Sequence, residues 1–221
     1  MRELIELNDA GWYWPKLDAK GWGGAWNDLS QNFSDTPRKI SELVSNRKII
    51  VQAGGNCGLY VKKYAELFDH VYTFEPDPVN FFCLNLNVTE MNVHKFQAAL
   101  GFSRGLIQIQ VNREFPNNVG GYHVNQDQGF IPTLQIDDLG LSGCDVIHLD
   151  IEGYEKFALM GAVDTIKKFN PIIVLEYCAP WSARYGISDH DINSYMDSLG
   201  YDNFGVIAGT QGDCLYKPKQ I

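Results

Sequence analysis

From Arg47 to the end of the chain, short apolar runs alternate with amphipathic stretches. The runs KIIVQAG, HVYTFEP, VHKFQAAL, DVIHLDI and PIIVLEY are typical of buried strands, and the stretches between them carry apolar residues at helical spacing. Strands and helices that alternate in this way wind a mostly parallel sheet with helices on both faces. The sequence therefore predicts an α/β fold. The strictly alternating run GLIQIQV predicts an exposed antiparallel strand, and NFGVIAGTQGDCLYK predicts a C-terminal hairpin.

Residues 1–45 differ from the remainder of the chain in composition, because four of the five tryptophans lie there among glycines and prolines. We therefore predict two parts, an N-terminal tryptophan-rich extension over residues 1–45 and an α/β domain over residues 46–221. A second irregular segment, residues 112–130, is polar and glycine-rich and is predicted to be a long loop. The N-terminal tryptophans are Trp12, Trp14, Trp22 and Trp26.

Charge and cysteine content limit the partners and the compartment. With 18 Lys and Arg against 27 Asp and Glu, the net charge of −9 disfavours binding to nucleic acid or to an anionic membrane. The first residues carry acids where a signal peptide needs an apolar core, so we expect a reducing cytoplasm. The cysteines are too scattered for a disulfide framework or a zinc site. They are Cys57, Cys83, Cys144, Cys178 and Cys214.

The stretch VQAGGNCGLY at residues 51–60 runs from a strand through a glycine-rich turn into a helix. This order places backbone N–H groups and the positive end of a helix where a nucleotide can dock. Glu75 follows Gly54 by 21 residues, which suits an acid that accepts hydrogen bonds from ribose hydroxyls. The turn fits neither a P-loop nor the dinucleotide pattern G-x-G-x-x-G. The alternative interpretation is a tight turn whose glycines serve only backbone geometry.

Three ionisable residues, His148, Asp150 and Glu152, alternate along DVIHLDIEG and are predicted to share one face of the strand. Such groups are costly inside a parallel sheet unless they reach its open carboxyl edge, where ligands bind. Glu176 ends the next strand and is predicted to join them. The alternatives are that His148 is a core histidine and that Glu152 only caps the next helix. A divalent metal at these carboxylates is the less favoured interpretation, and we predict none.

The blocks IIVQAGGNCGLY, FEPDPVNFFCLNLNV, TLQIDDL and DVIHLDIEGYEKFALMGA together resemble the FkbM family of S-adenosylmethionine-dependent methyltransferases. The resemblance implies a Rossmann-like class I methyltransferase fold, with a mostly parallel seven-stranded sheet, helices on both faces and an antiparallel C-terminal hairpin. It also implies methyl transfer from S-adenosylmethionine, with S-adenosylhomocysteine as the product, to a hydroxyl of a sugar, glycan or small natural product. Two departures from the family pattern are Gln52, where an acid is usual, and His148, where lysine is common.

The resemblance assigns roles to individual residues. It implies that Gln52 faces the methionine ammonium, that Glu75 with Pro76 holds the ribose, and that Asp150 and Glu152 lie beside the site of methyl transfer. The cofactor loop would be Gly54, Gly55, Asn56 and Gly58, and Gln97 and Ala98 would lie near the adenine.

For catalysis we predict that Asp150 accepts the hydroxyl proton, with His148 as the rival base. The N-terminal tryptophans either stack on the acceptor as part of a lid or pack on the core. Tyr122 and His123 either contact the acceptor or lie on the loop surface. A homo-oligomer is possible. Two other functions stay open, a non-catalytic cofactor-binding module and a nicotinamide-dependent oxidoreductase; the missing G-x-G-x-x-G disfavours the oxidoreductase.

Overall fold

The computed structural model of the protein describes residues 1–18, 35–127, 129–176, 179–210 and 212–219. No helix in these ranges is long and apolar enough to cross a membrane. The strands are β1 (Ile5–Leu7), β2 (Tyr13–Pro15), β3 (Ile49–Ala53), β4 (His70–Phe74), β5 (Val93–Phe96), β6 (Ala99–Leu100), β7 (Gly105–Gln110), β8 (His123–Asn125), β9 (Ile131–Leu134), β10 (Val146–Leu149), β11 (Ile172–Glu176), β12 (Tyr201–Val206) and β13 (Asp213–Pro218). The helices are α1 (Asp35–Glu42), α2 (Leu59–Leu67), α3 (Pro78–Asn87), α4 (Glu155–Met160), α5 (Val163–Phe169), α6 (Ala179–Ala183) and α7 (Asp189–Ser198).

The main sheet of the described residues has seven strands in the spatial order β12-β13-β11-β10-β3-β4-β5. Strands β3, β4, β5, β10 and β11 run parallel to one another, whereas β13 is antiparallel to both of its neighbours. This sheet confirms the predicted α/β architecture and its antiparallel C-terminal hairpin.

The parallel strands at the centre of this sheet end at the same level. Ala53 at the end of β3 pairs with Phe74 of β4 on one side and with Leu149 of β10 on the other. Leu149 in turn pairs with Leu175, one residue before the end of β11. Side chains that follow these strands therefore meet at one carboxyl edge.

Apolar side chains cover both faces of the sheet, which fixes the two helical layers. On one face, Ile147 and Leu149 of β10 belong to a buried cluster that includes residues of α4, α5 and α7. On the other face, Val146 of β10 and Val174 of β11 pack with residues of α1, α2 and α3. The strands are apolar on both sides, as expected for a buried parallel sheet.

A second sheet, in the order β6-β9-β7-β8, lies in the segment between β5 and β10. Strand β7 confirms the antiparallel strand predicted over GLIQIQV, because it pairs antiparallel with β8 and β9. The prediction of a loop throughout residues 112–130 was wrong, since this segment contains β8 and a 3-10 turn at Val119–Gly121. Strand β8 has only three residues, too few for a hydrophobic period to be visible in the sequence.

The helices differ from the prediction in two places. Apolar residues at helical spacing predict a single helix over YEKFALMGAVDTIKKF, whereas the structure has two helices, α4 and α5, with a break at Gly161 and Ala162. The same spacing places Val79, Phe82, Cys83 and Leu86 on the inner face of α3; Cys83 is buried and Val79 and Phe82 pack on the same cluster, so the prediction fails only at Leu86. Two asparagines are buried there because their amides bind backbone carbonyls of neighbouring loops, and Leu86 is exposed. The buried residues of α3 are Asn80, Cys83, Leu84 and Asn87.

The first 18 residues pack against α3 beside the glycine-rich turn. Trp14 is 1% exposed, and its indole Nε1 donates a hydrogen bond of 2.9 Å to Asp18. Trp12 is half-buried against the same cluster. These two tryptophans favour the packing interpretation, whereas Trp22 and Trp26 lie outside the described residues. The predicted division of the chain at residue 45 stays a prediction.

Replacing Trp14 should destabilise the protein far more than replacing Trp12. We expect Trp14→Ala to lower the free energy of unfolding by about 3–5 kcal/mol, because it leaves a large cavity and removes a hydrogen bond to the buried Asp18 carboxylate. Trp12→Ala is the matched control and should cost less than half as much. Urea unfolding measures both values, and equal losses in the two variants would contradict the packing role assigned to Trp14.

Candidate active site

A cavity of about 360 Å³ opens at the carboxyl edge of the main sheet. Its floor comes from the residues that follow β3, β4, β10 and β11, and residues 112–122 contribute one wall. Ligands of open α/β sheets bind at this edge, which makes the cavity the candidate active site. The predicted site residues that line it are Gly54, Gly55, Asn56, Glu75, Pro76, Ala98, Asp150 and Glu152.

The glycine-rich turn is fixed by close packing of the backbone. Gly54 has a φ of 85°, and a Cβ there would collide with the carbonyl oxygen of Asp150. A Cβ on Gly55 would come within 2.8 Å of the Thr73 hydroxyl. Gly58 has a φ of 101° and contacts Val88, away from the cavity lining. The fold thus requires these glycines for its own geometry, whether or not a ligand is bound.

Glu75 follows β4 and is held rigidly at the edge of the cavity. Its carboxylate accepts hydrogen bonds from the backbone N–H of Asn56 at 2.7 Å and of Asp77 at 2.8 Å. Burial raises its pKa to about 8, although these two hydrogen bonds act in the opposite direction. Each oxygen keeps a lone pair that a ligand hydroxyl can use.

Gln52 does not reach the cavity. Its side chain is completely buried, its amide nitrogen donates to the carbonyl oxygens of Ala53 and Gly54, and its amide oxygen accepts from the Thr73 hydroxyl at 2.6 Å. Gln52 therefore braces the turn from below, and the structure does not bring it to a position facing a methionine ammonium. Gln97 is exposed and also lies outside the cavity lining.

His148 lies beneath the cavity. The ring is completely buried, with Nδ1 at 2.9 Å from the Tyr64 hydroxyl and Nε2 at 3.3 Å from Asp213. His148 lies on β10, which ends at Leu149, whereas Asp150 and Glu152 follow in the turn that lines the cavity. The His148 ring is close enough to Asp150 to act against the rise of its pKa, but it lies outside the lining, so its role as the rival base stays a prediction.

The turn after β10 presents two carboxyls to the cavity. Burial and the neighbouring charge of Glu176 raise the pKa of Asp150 well above its usual value. Burial and the charge of Asp150 raise the pKa of Glu152 to about 8. Glu155 braces this turn, because its Oε1 accepts from the backbone N–H groups of Ile151 and Gly153, both at 3.1 Å.

Glu176 at the end of β11 completes the acidic edge. Its carboxyl shares a hydrogen bond with that of Asp150, and burial raises its pKa to about 7. Among the described residues, no Lys, Arg or His lines the cavity. Three buried acceptor atoms in the lining have no hydrogen-bond partner, namely Asn80 Oδ1, Glu152 Oε2 and Glu176 Oε2.

This cavity fits S-adenosylmethionine in charge and in hydrogen bonding. The cofactor carries a sulfonium and an ammonium against a single carboxylate, so it is a net cation entering an acidic cavity. Its ribose hydroxyls are donors, which match the Glu75 carboxyl and the Asn80 amide oxygen in the lining. The described residues contain no group of His, Cys, Asp and Glu arranged to hold a metal ion.

Residues 112–122 form one wall of the cavity. The Asn80 amide nitrogen donates to the carbonyl oxygen of Val119 at 3.0 Å and ties this wall to α3. Tyr122 lines the cavity, whereas His123 belongs to β8 and lies outside the lining. Trp12 and Trp14 also lie outside it.

Several lining residues were missed in the sequence analysis. Asn80 carried a weak signal, a polar residue three positions after the helix-capping Asp77, whereas the contributions of the aromatic residues depend on long-range packing. The missed aromatic residues are Tyr60, Phe115, Tyr154 and Trp181.

The chain matches a known methyltransferase family in sequence. The family model of the Methyltransferase FkbM domain matches residues 52–202, which is more than half of the chain. No curated protein shows significant similarity to the chain.

Solved structures share the fold at low sequence identity. The methyltransferase FkbM of Methylobacillus flagellatus KT is 19% identical with a TM-score of 0.54, over 78% of this chain and 43% of that one. The chain thus spans less than half the length of that protein. A TehB-like S-adenosylmethionine-dependent methyltransferase of Corynebacterium glutamicum is 12% identical with a TM-score of 0.54, over 91% of this chain and 98% of that one. The amino pentose methyltransferase CalS10 of Micromonospora echinaspora, solved with S-adenosylmethionine bound, is 10% identical with a TM-score of 0.52, over 88% of this chain and 94% of that one. These similarities show a class I methyltransferase fold.

The ligand-free protein should become less stable as the pH rises from about 5 to 8. The raised pKa values of Glu75 and Glu152, both about 8, mean that the folded state binds more protons than the unfolded state in this range. The melting temperature should therefore fall by several degrees, since about 1 kcal/mol corresponds to roughly 2–4 °C for a chain of this size.

The variant Glu152→Gln should flatten this dependence, because the amide cannot ionise. Glu66→Gln changes an exposed carboxylate of α2 and should leave the dependence unaltered. Thermal unfolding across the pH range measures both effects. A melting temperature that rises from pH 5 to 8 would show that the buried carboxyls do not govern stability in this range.

Proposed function

The chain belongs to the FkbM family of S-adenosylmethionine-dependent methyltransferases, and we propose that it methylates a hydroxyl of a sugar, a glycan or another small natural product. The cavity supports this proposal most directly, because four carboxyls line it and no basic side chain of the described residues does. The pyrophosphate of a nicotinamide dinucleotide would meet those carboxyls without a compensating cation. The same observation therefore counts against the oxidoreductase alternative.

The lining residues divide the cavity into a nucleoside end and a methyl-transfer end. We assign the ribose hydroxyls to Glu75, whose carboxylate is held by two backbone N–H groups. The turn at Gly54 and Gly55 would carry the region between ribose and methionine, and Ala98 would lie against the adenine. Asp150 and Glu152 then stand beside the methyl group, one strand further along the sheet edge.

When bound, S-adenosylmethionine supplies a methyl group that its positive sulfur already activates. The protein must then orient the acceptor and take up its proton. Asp150 suits the second task, because it lines the cavity and shares a hydrogen bond with Glu176, and because burial raises its pKa, which makes its carboxylate a stronger base. The ionised Asp150 accepts the hydroxyl proton as the new C–O bond forms.

The acceptor class rests on charge. The net charge of −9 disfavours binding to nucleic acid and to an anionic membrane, because both carry negative charge. CalS10, which shares the fold, is an amino pentose methyltransferase, a precedent for a sugar acceptor on this architecture. A reducing cytoplasm is part of the same proposal, supported by the buried free thiols of Cys57, Cys83, Cys144 and Cys214.

Calorimetric titration with S-adenosylhomocysteine tests the cofactor site. Above the Glu75 pKa of about 8, we expect the wild type to bind and Glu75→Gln to bind ~10–100-fold more weakly, because a hydrogen bond to a charged group is lost. Asp77→Asn is the matched control, since it lies in the same loop outside the cavity lining and asparagine caps a helix equally well. Equal affinities for the wild type and Glu75→Gln would contradict the ribose assignment.

Replacing Asp150 should separate catalysis from binding. Asp150→Asn should retain S-adenosylhomocysteine binding within a few-fold and lose ~10²–10⁴ in the rate of methyl transfer, because the general base is removed. Production of S-adenosylhomocysteine with an active acceptor measures the rate. If Asp150→Asn transfers the methyl group at the wild-type rate, another group must accept the hydroxyl proton. If the wild type binds the cofactor but transfers a methyl group to no acceptor, the non-catalytic module is favoured.

A further inference from the structure

The order of strands fixes which end of the cavity faces the acceptor. Glu75 follows β4, Gly54 follows β3, Asp150 follows β10 and Glu176 ends β11, and these four strands are neighbours in that order. Neighbouring strands are about 4.8 Å apart, so Glu75 and Glu176 are separated by roughly 14 Å along the sheet edge. If Glu75 holds the ribose, as in the proposed function on which this inference rests, Glu176 lies at the far end, where the acceptor enters.

Two carboxyls with buried oxygens line the cavity at this far end. Glu152 Oε2 has no hydrogen-bond partner among the described residues, and the Glu176 carboxyl has the one hydrogen bond that it shares with Asp150. A buried acceptor without a donor costs free energy, and a carboxylate costs more than a neutral group. The structure thus leaves a place for a ligand group that donates hydrogen bonds and carries positive charge.

The described residues that line the cavity include no cation beside these two carboxylates, although Arg184 lies near enough to Glu152 to act against the rise of its pKa. Arg184 donates to the backbone carbonyl of Glu152 at 3.3 Å and lies over the Trp181 ring at 5.2 Å, outside the lining. His148 is bound to Asp213 beneath the cavity. The wall beside the carboxylates includes the aromatic rings of Tyr154 and Trp181, and aromatic faces attract cations.

We propose that the acceptor carries an ammonium group close to the hydroxyl that is methylated, and that Glu152 and Glu176 hold this ammonium. The substrate class is therefore amino alcohols, including amino sugars, and anionic acceptors are excluded. A protonated amine has no lone pair, so the hydroxyl is the nucleophile. Its oxygen bonds to the methyl carbon as the C–S bond breaks with its electrons on sulfur, and its proton goes to Asp150.

Matched pairs of small probes test this inference on the protein saturated with S-adenosylhomocysteine. The pairs are glucosamine with glucose, 2-aminocyclohexanol with cyclohexane-1,2-diol, and ethanolamine with ethylene glycol. We expect at least one amine to bind ~10-fold or more tightly than its uncharged counterpart, because a hydrogen bond between charged groups contributes about that much affinity. Calorimetry gives each affinity, with glucuronic acid as the anionic comparison that should not bind.

Variants of the two carboxylates complete the test. Glu176→Gln and Glu152→Gln should each reduce the preference for the amine, whereas the exposed control Glu66→Gln should retain it. The affinity for S-adenosylhomocysteine, measured for every variant, shows that the cofactor site is intact.

The outcomes separate this inference from the proposed function. Intact S-adenosylhomocysteine binding with no amine preferred in any pair, or a preference that survives in both glutamine variants, overturns the ammonium site and leaves the methyltransferase proposal standing. Absence of S-adenosylhomocysteine binding to the wild type overturns both.

Discussion

The site depends on several carboxyls that are withdrawn from water at one edge of a sheet with no basic side chain of the described residues facing them. Burying ionised groups is expensive unless hydrogen bonds or opposite charges compensate. The protein compensates in part. Backbone N–H groups hold Glu75 and Glu155, and Asp150 shares a hydrogen bond with Glu176. The part of the burial cost that is not compensated raises the pKa values of these carboxyls. A cationic ligand would stabilise their ionised forms and so offset this cost.

The architecture produces this arrangement through strand register and glycine. The central parallel strands end at one level, so every residue that follows them arrives at the same edge. Gly54 lies so close to the Asp150 carbonyl that a Cβ would not fit between them. The Gln52 side chain stabilises the same turn by donating hydrogen bonds to the carbonyl oxygens of Ala53 and Gly54. Backbone packing therefore places Asp150 beside the turn that is assigned to the cofactor.

Much of this could be predicted from the sequence, because local patterns determine it. Hydrophobic periodicity predicted the central sheet, and the positions of Gly54, Glu75 and Asp150 after strands predicted their meeting at one edge. The departures from the prediction have physical causes. His148 lies outside the cavity lining because β10 ends at Leu149 and the cavity is lined by the residues that follow the strand.

The remaining errors come from packing between distant parts of the chain. Asn80 and Asn87 are buried because they bind backbone groups of distant loops, so a hydrophobic pattern did not identify them. The break between α4 and α5 lies at Gly161, which packs against the backbone of Gly101, a contact that is distant in the sequence. Aromatic residues such as Tyr60 and Trp181 reach the cavity through tertiary packing alone.

A crystal structure of the complex with S-adenosylhomocysteine is the most direct test of the central claim, that the acidic carboxyl edge is the cofactor site. We predict that the ribose hydroxyls lie within hydrogen-bond distance of the Glu75 carboxylate and that the sulfur points toward Asp150. A nucleoside bound elsewhere, or one whose ribose makes no contact with Glu75, would contradict the account.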